Sequence, residues 1–351
     1  MDIVIPIWNQ PVLTRRCLES ILRGTELPVR LILVDNGSSL ETQAALERFE
    51  PSSPRFQVHR IRNSSNLGFI KAVNQGIRAG SAPWVCILNN DTVVTPGWLE
   101  EMLKVAAADP KIGLVNPTSN SLGFRPGQVP LDSYADGLRA YSGQSAELST
   151  ALGFCLFARR SLLESVGLLD ESFGMGYFDD DDLSRRVKAA GYRCVRASAS
   201  YVFHEERVSF RLLPKNRSAF EKNRRLFEQR WGRRLRILWA MDRQAPAPLI
   251  LELAAQGHWL TLVDPKGAVP GEVLAHAQVS RLNAGNGGWR LPATLRLLLK
   301  RKKPFDLVIS PDPSWSRWVK RLRWLHRARL LSGAGKEEIL QQCRTLSRSP
   351  L

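Results

Sequence analysis

The chain has 351 residues, 44% hydrophobic and 24% charged, with a formal net charge of +17 and a pI of about 10.2. That suffices for about two domains with substantial cores; no stretch approaches the ~20 apolar residues of a membrane span, and Met1-Asp2-Ile3 enters a strand-like run with no basic leader, so no secretory signal is expected. Five scattered cysteines (Cys17, Cys86, Cys155, Cys194, Cys343) without a CxxC pair suit a reducing cytoplasm and argue against a disulfide framework or a zinc site.

From the N-terminus, strands and helices alternate. Ile3–Ile7 reads as a strand and Pro11–Arg23 as a helix with Leu13, Cys17, Leu18 and Ile21 on one face. The strand Arg30–Val34, the helix Leu40–Phe49, the strand Phe56–Ile61, the helix Phe69–Ala79 and the strand Trp84–Leu88 follow. This βαβαβαβ order predicts a parallel sheet covered by helices. Ligands of such sheets bind beyond the carboxyl ends of the strands. Those ends are polar here: Pro6-Ile7-Trp8-Asn9, Asp35-Asn36-Gly37-Ser38, Asn63 to Gly68, and Asn89-Asn90-Asp91. Each alone could be turn chemistry; four together favour one polar crevice.

A helix over Thr95–Ala106 is predicted, with a capping threonine and a proline at its first position. Leu114–Pro117 reads as a short strand, Asn120–Leu148 as a loop, Ala151–Ala158 as a strand and Ser161–Val166 as a short helix. Asp182–Ala190 is a helix closed by Gly191, and Cys194–Ala197 and Tyr201–Phe203 are strands. A basic helical stretch runs from Ser209 to Arg234, after which alternation restarts. Strands are expected at Leu235–Met241, Trp259–Val263, Val279–Leu282, Asp306–Ile309 and Ala328–Leu331, and helices at Pro248–Ala255, Glu272–His276, Leu291–Leu299, Ser314–Leu325 and Lys336–Arg344. Two domains are therefore expected, 1–234 and a smaller α/β domain over 235–351. The basic clusters at 207–236, 300–303 and 317–329 suit nucleic acid, anionic lipid or phosphate-bearing substrates, and equally suit solvated helix faces.

Three features carry chemistry. Asn89-Asn90-Asp91 could hold a hard cation that also grips phosphate oxygens, or could be a capped turn. His204, at a strand end, could be a further metal ligand or a diphosphate contact, or an ordinary hydrogen-bonded histidine. Asp179-Asp180-Asp181-Asp182 concentrates negative charge in a basic chain. A metal, an accepted proton or a helix N-terminus would each make that run tolerable. Helix capping accounts for one or two of the carboxylates, and one aimed into the crevice is a ready general base.

These segments resemble family 2 glycosyltransferases. The resemblance rests on Asp35-Asn36-Gly37-Ser38, Asn66-Leu67-Gly68-Phe69 with Asn74-Gln75-Gly76, and Leu88-Asn89-Asn90-Asp91-Thr92. It continues through Gly153-Phe154-Cys155-Leu156-Phe157-Ala158-Arg159-Arg160, Gly176-Tyr177-Phe178-Asp179-Asp180-Asp181-Asp182-Leu183, Ala190-Gly191-Tyr192 and Phe203-His204. The motifs keep the family's order over about residues 1–210. The resemblance implies the α/β, Rossmann-like GT-A fold and an inverting enzyme. It implies that Pro6, Asn9 and Asp35 hold the nucleoside, with Asp35 accepting from the base. Asn66, Asn74 and Asn90 would line the nucleotide crevice, and Lys71 would reach phosphate. Asp91, with Asn89 and His204, would bind Mn2+ or Mg2+; the family's first aspartate is replaced by Asn89, which removes one charged ligand. Asp180 would be the base, with Gly153, Asp179 and Asp182 on the acceptor side.

The implied partners are a UDP- or dTDP-sugar and a lipid-linked or surface glycan, as in cell-surface polysaccharide synthesis, with the chain cytoplasmic or peripheral at the inner membrane face. Residues 291–310 resemble, less extensively, the N-terminal acceptor-side half of GT-B glycosyltransferases, implying an accessory module. Sugar-nucleotide nucleotidyl transfer would want a Gly-x-Gly-Thr-Arg loop where Trp8-Asn9-Gln10-Pro11 stands. A nucleic-acid-binding protein would want a helix-turn-helix, zinc or RNA-binding signature, and none is evident, so no nucleic acid is expected.

Overall fold

The computed structural model describes residues 1–205, 216–240, 246–264, 267, 269–274, 276, 278–282, 288–299 and 303–348. Expected features at 209–215, 241 and 300–302 lie outside the described residues. The chain divides into two compact units, 1–146 with 150–226, and 147–149 with 227–351.

In the first unit β1 (Asp2–Ile7), β2 (Val29–Asp35), β3 (Phe56–Arg62) and β4 (Trp84–Leu88) are parallel, in the spatial order β3-β2-β1-β4. Their connections are α1 (Pro11–Gly24), α2 (Leu40–Glu47) and α3 (Phe69–Ala79). The alternate residues Ile3, Ile5 and Ile7 join Cys17, Leu18 and Ile21 of α1 in one buried cluster. Gly76 lets α3 press onto the sheet: a Cβ there would lie 2.4 Å from Val4 Cγ1. At the opposite end of β1 from the polar crevice, the fully buried Asp2 accepts from Arg30 Nε at 2.9 Å, Arg160 Nη2 at 2.7 Å and the Ala82 N–H at 2.9 Å.

Beyond β4 the sheet becomes mixed. The segment continues through β5 (Thr92–Val94), α4 (Trp98–Ala108), β6 (Ile112–Thr118), α5 (Leu131–Leu138), β7 (Ser145–Glu147), β8 (Cys155–Arg159), α6 (Arg160–Val166), α7 (Asp179–Ala189), β9 (Arg193–His204) and α8 (Asn216–Trp231). Strand β8 runs antiparallel between β4 and β6, β6 pairs β9 in parallel, and β5 pairs β9 antiparallel.

Several boundaries differ from expectation for local reasons. Helix α4 starts at Trp98, because Gly97 takes a left-handed conformation and the Thr95 hydroxyl donates to the Tyr201 carbonyl instead of capping. The expected strand over 151–158 forms only from Cys155, since Asn116 holds the backbone of Leu152 and Cys155 in a turn. The expected loop 120–148 contains α5, β7 and two short 3-10 turns. The two strands expected within 194–203 are one strand, with a register shift opposite Pro117 and Thr118.

The second unit is a five-stranded parallel sheet, in the order β12-β11-β10-β13-β14. Its elements are β10 (Arg236–Ala240), α9 (Ala247–Ala255), β11 (Trp259–Val263), α10 (Gly271–Leu274), β12 (Val279–Leu282), α11 (Arg290–Leu299), β13 (Leu307–Ser310), α12 (Pro313–Arg321), α13 (Arg323–His326), β14 (Arg329–Ser332) and α14 (Lys336–Arg348). Along β10, Ile237 and Trp239 enter a core with Leu249 and Leu253, while Leu238 and Ala240 enter one with Ala293, Leu297 and Val319. That alternation with helices on both faces is the doubly covered, Rossmann-like arrangement expected for parallel strands.

Candidate active site

The ends of β1, β2 and β3 form the first wall. Parallel register sets Ile7 beside Asp35 and Asp35 beside Arg62. One Asp35 oxygen accepts from the Ser38 N–H at 2.9 Å and the other pairs with the Arg62 guanidinium. Gly37, at φ 73°, makes this turn possible, because a Cβ there would strike the Ser65 backbone at 2.5 Å. Asn9, also left-handed at φ 58°, accepts from the Ser39 N–H and donates its own N–H to Ser38 Oγ, each at 2.9 Å. Asn36 donates to Asn66 Oδ1 at 2.9 Å and accepts from the Leu67 N–H at 3.0 Å, drawing the 63–68 turn against the same wall.

Two residues expected at this wall do other work. Asn74 is buried, donating to the Leu169 carbonyl at 2.8 Å and accepting from the Leu169 N–H at 3.1 Å, so it braces the 169–171 turn instead of lining the crevice. Asn90 is buried and donates to Thr14 Oγ1 at 2.8 Å, fastening the 89–91 turn to α1. Pro6 is an in-register member of β1, opposite Val34. Lys71 stands exposed on the first turn of α3.

The second cluster gathers Asn89, Asp91 and His204. Antiparallel pairing of β5 and β9 places His204 opposite Thr92. Its Nε2 lies 3.2 Å from Asp91 Oδ1 and 3.4 Å from Asn89 Nδ2. Its other ring nitrogen shares a 2.9 Å hydrogen bond with Ser121, and its ring stacks on Phe154 at 4.9 Å. Asn89 Oδ1 and Asp91 Oδ1 are both buried and, apart from the His204 ring beside Asp91, have no hydrogen-bond partner among the described residues. Two orphaned oxygens beside an oriented imidazole form a donor set that fits a hard divalent cation, since buried polar atoms otherwise find partners.

The third cluster is the aspartate run, which the structure separates residue by residue. Helix α7 begins at Asp179, three residues earlier than expected, after the left-handed pair Tyr177 and Phe178. Asp182 is buried and accepts from Arg186 Nε at 2.8 Å; Arg186 also donates to the carbonyls of Val166 and Leu168. That fixes Asp182 as a brace and removes it from the acceptor side where it was expected. Asp181 accepts from the Thr150 hydroxyl at 2.6 Å. Asp179 is buried; desolvation pushes its carboxyl well above the usual range, and the charge of Asp180 pushes it further. Asp180 is half-buried, and its oxygens accept from the Gly153 N–H at 3.2 Å and the Asp181 N–H at 2.8 Å.

The clusters are chained together. Gly153 contacts Asp180 while its neighbour Phe154 stacks on His204, and Asn90 Nδ2 lies 3.5 Å from the Asn9 carbonyl. Sequence reasoning missed the residues that aim this site: Arg62, Ser121, Asn116, Arg186 and Asn223. Asn223 of α8 donates to the carbonyls of Phe173 and Gly176 at 2.6 and 2.7 Å, bracing the turn that leads into Asp179. Arg62 closes β3 just before the polar run Asn63 to Gly68 and could have been read from it; the other four are brought there only by the fold.

The family model described as Glycosyl transferase family 2 matches residues 2–167. The chain is 30% identical over 225 residues to the N-acetylglucosaminyl-diphospho-decaprenol L-rhamnosyltransferase of Mycobacterium tuberculosis, covering 54% of this chain and 71% of that protein. It is 27% identical over 254 residues to the uncharacterized protein y4gI of Sinorhizobium fredii, covering 66% of this chain but only 27% of the relative's length. Among solved structures, the mannosyltransferase PcManGT from Pyrobaculum calidifontis in complex with GDP-Man and Mn2+ aligns with a TM-score of 0.49 at 21% identity, covering 73% of this chain and 68% of that one.

Proposed function

The chain belongs to glycosyl transferase family 2, and on that premise we propose that it moves a sugar from a UDP- or dTDP-sugar to a hydroxyl of a lipid-linked or glycan acceptor, inverting the anomeric centre. The observation that carries this reading is the meeting of two clusters through adjacent residues. The Asn89–Asp91–His204 donor set and the half-buried Asp180 carboxylate are linked by Phe154 and Gly153. The name of the Mycobacterium relative supports a diphospho-decaprenol-linked acceptor.

On this reading Asn9, Asp35, Pro6 and the 63–68 turn with Asn66 receive the nucleoside, and the exposed Lys71 reaches its phosphates. Asn89, Asp91 and His204 would hold Mn2+ or Mg2+, which when bound supplies Lewis-acid stabilisation to the departing diphosphate. Asp180 takes the proton of the acceptor hydroxyl while that oxygen attacks the anomeric carbon. Burial and the charge of Asp180 both push the Asp179 carboxyl up, which disfavours a second charge beside the base. Gly153 holds the base in place through its N–H. Residues 235–351 serve as an accessory module to the transfer domain 1–234, and the chain works on the cytoplasmic side.

A thermal-shift series with UDP-, GDP- and dTDP-sugars, with and without Mn2+, tests the donor. Stabilisation is expected with the UDP or dTDP donors and should strengthen with the cation. Absence of stabilisation by every nucleotide, together with undiminished transfer by folded Asp180→Asn protein, would overturn the reading.

A further inference from the structure

We propose that helices α11, α12 and α13 of the second unit form a docking surface for anionic phospholipid. On α11, Ala293, Thr294 and Leu297 face the core, while Leu291, Leu295 and Leu299 stand outward at successive four-residue steps. On the next two helices Trp318, Trp324 and Leu325 are exposed, Trp324 by 75%. Leu291 and Trp318 line one groove of about 290 Å3 together with Trp315, which joins the two helices into one apolar face. Exposed large apolar side chains grouped this way mark an interaction surface.

Charge decides the partner. Between residues 290 and 329 the sequence has twelve Lys or Arg and two acidic residues. Both acids are engaged: Asp312 pairs with Arg290 and Asp306 with Arg233. The same two helices, α12 and α13, contribute to a cleft of about 550 Å3 lined by Ser316, Arg317, Lys320, Arg323 and Arg329. Ser316 is 2% exposed and its hydroxyl has no partner among the described residues. A buried hydroxyl and four cations make a seat for a phosphate oxygen. A nucleic acid would satisfy the cations but not the leucine stripe. An anionic leaflet satisfies both, because headgroups meet the Lys and Arg side chains while Trp and Leu enter the acyl boundary.

The inference deepens the lipid-linked acceptor reading and rests on it only for its purpose. Binding is measured without donor, so failure to bind lipid leaves sugar transfer intact, and failed transfer leaves lipid binding intact. The full chain is co-sedimented with phosphatidylcholine vesicles, with and without phosphatidylglycerol. Binding is expected only with phosphatidylglycerol, with a blue shift of tryptophan emission. Each basic residue near such a surface contributes about fivefold in affinity, so Arg317→Gln/Lys320→Gln/Arg323→Gln should bind on the order of a hundredfold more weakly. Trp318→Ala/Trp324→Ala should lose the emission shift as well as affinity, and unchanged thermal unfolding of both variants will show that they fold. Equal binding to the two vesicle types, or wild-type affinity in either variant, overturns the proposal. So does binding of inorganic pyrophosphate without any vesicle binding, which would make the cleft a soluble-anion site.

Discussion

Replacing Asp180 and Asp179 separately by asparagine should give opposite results, although the two residues are adjacent and chemically identical. Asp180 is half-buried and accepts two backbone N–H bonds, which aim its carboxylate as a base. Losing a general base costs about 10²–10⁴ in rate, and Asp180→Asn should lower single-turnover transfer by that amount with little change in donor affinity. Burial and the charge of Asp180 push the Asp179 carboxyl up, so an amide of the same shape replaces a group whose charged form is disfavoured. Asp179→Asn should therefore keep transfer within about tenfold of wild type, since no proton acceptor is lost. Its stability should also respond to pH with a definite sign. A carboxyl whose folded pKa is raised binds more protons folded than unfolded, so it lowers stability as pH rises from the ordinary carboxylate range toward the folded value. The variant escapes that loss. It should melt higher than wild type at neutral pH, and the gap should close near pH ~4. Single-turnover assays with a radiolabelled sugar donor and a pH series of thermal melts read both quantities. If folded Asp179→Asn loses as much rate as Asp180→Asn, the division of labour between the two carboxylates is wrong.

Other outcomes follow from single contacts. Asn89→Asp restores a charged ligand beside Asp91 and His204 and should lower the Mn2+ midpoint, measured by titration calorimetry, by on the order of tenfold; an unchanged midpoint would remove Asn89 from the donor set. Asn223→Ala strips the donor from the Phe173 and Gly176 carbonyls and should cost ~1–3 kcal/mol in urea unfolding, with transfer slowed as the turn before Asp179 relaxes. Gly76→Ala forces a methyl to 2.4 Å from Val4 Cγ1 and should destabilise by ~1–3 kcal/mol despite the better helix propensity of alanine; an unchanged urea midpoint would mean that α3 shifts freely. For Asp2, desolvation alone would raise the carboxyl pKa, but Arg30, the Ala82 N–H and Arg160 outweigh it and hold the pKa down. A depressed folded pKa gives stability above the unfolded value, lost as pH falls through the folded one. Asp2→Asn should thus be less stable than wild type at pH 7 and converge with it in acid, as followed by circular dichroism.

The sequence made the parallel half of the first sheet legible because each buried strand there is a short apolar run and each helix has one apolar face. Its polar strand ends also marked Asn9, Asp35, Asn89, Asp91 and His204 as candidates. It offered a strand at β8 but not its antiparallel insertion between β4 and β6, which depends on partners far along the chain. It misjudged Asn74 and Asp182 because a motif position records that a polar residue is needed without recording which way it points. Asn74 turns toward the backbone of Leu169, and Asp182 toward Arg186. The helix start at Trp98 was hidden because Gly97 adopts a left-handed conformation that sequence only permits.

Partnership separates the structural carboxylates from those available for chemistry. Asp2 and Asp182 are almost wholly buried and each accepts from an arginine, so their charge is neutralised within the fold. Asp91 is also buried, yet its ion-pair neighbour is a histidine and its Oδ1 has no hydrogen bond among the described residues. Leaving a buried carboxylate oxygen unmatched costs stability unless a ligand completes it. Asp179 meets the same difficulty by a carboxyl pushed well above the usual range by burial and by the charge of Asp180. The aspartate run is therefore four different solutions to one electrostatic problem: an acid whose charge is disfavoured, the half-buried proposed base, a hydroxyl acceptor and an arginine brace.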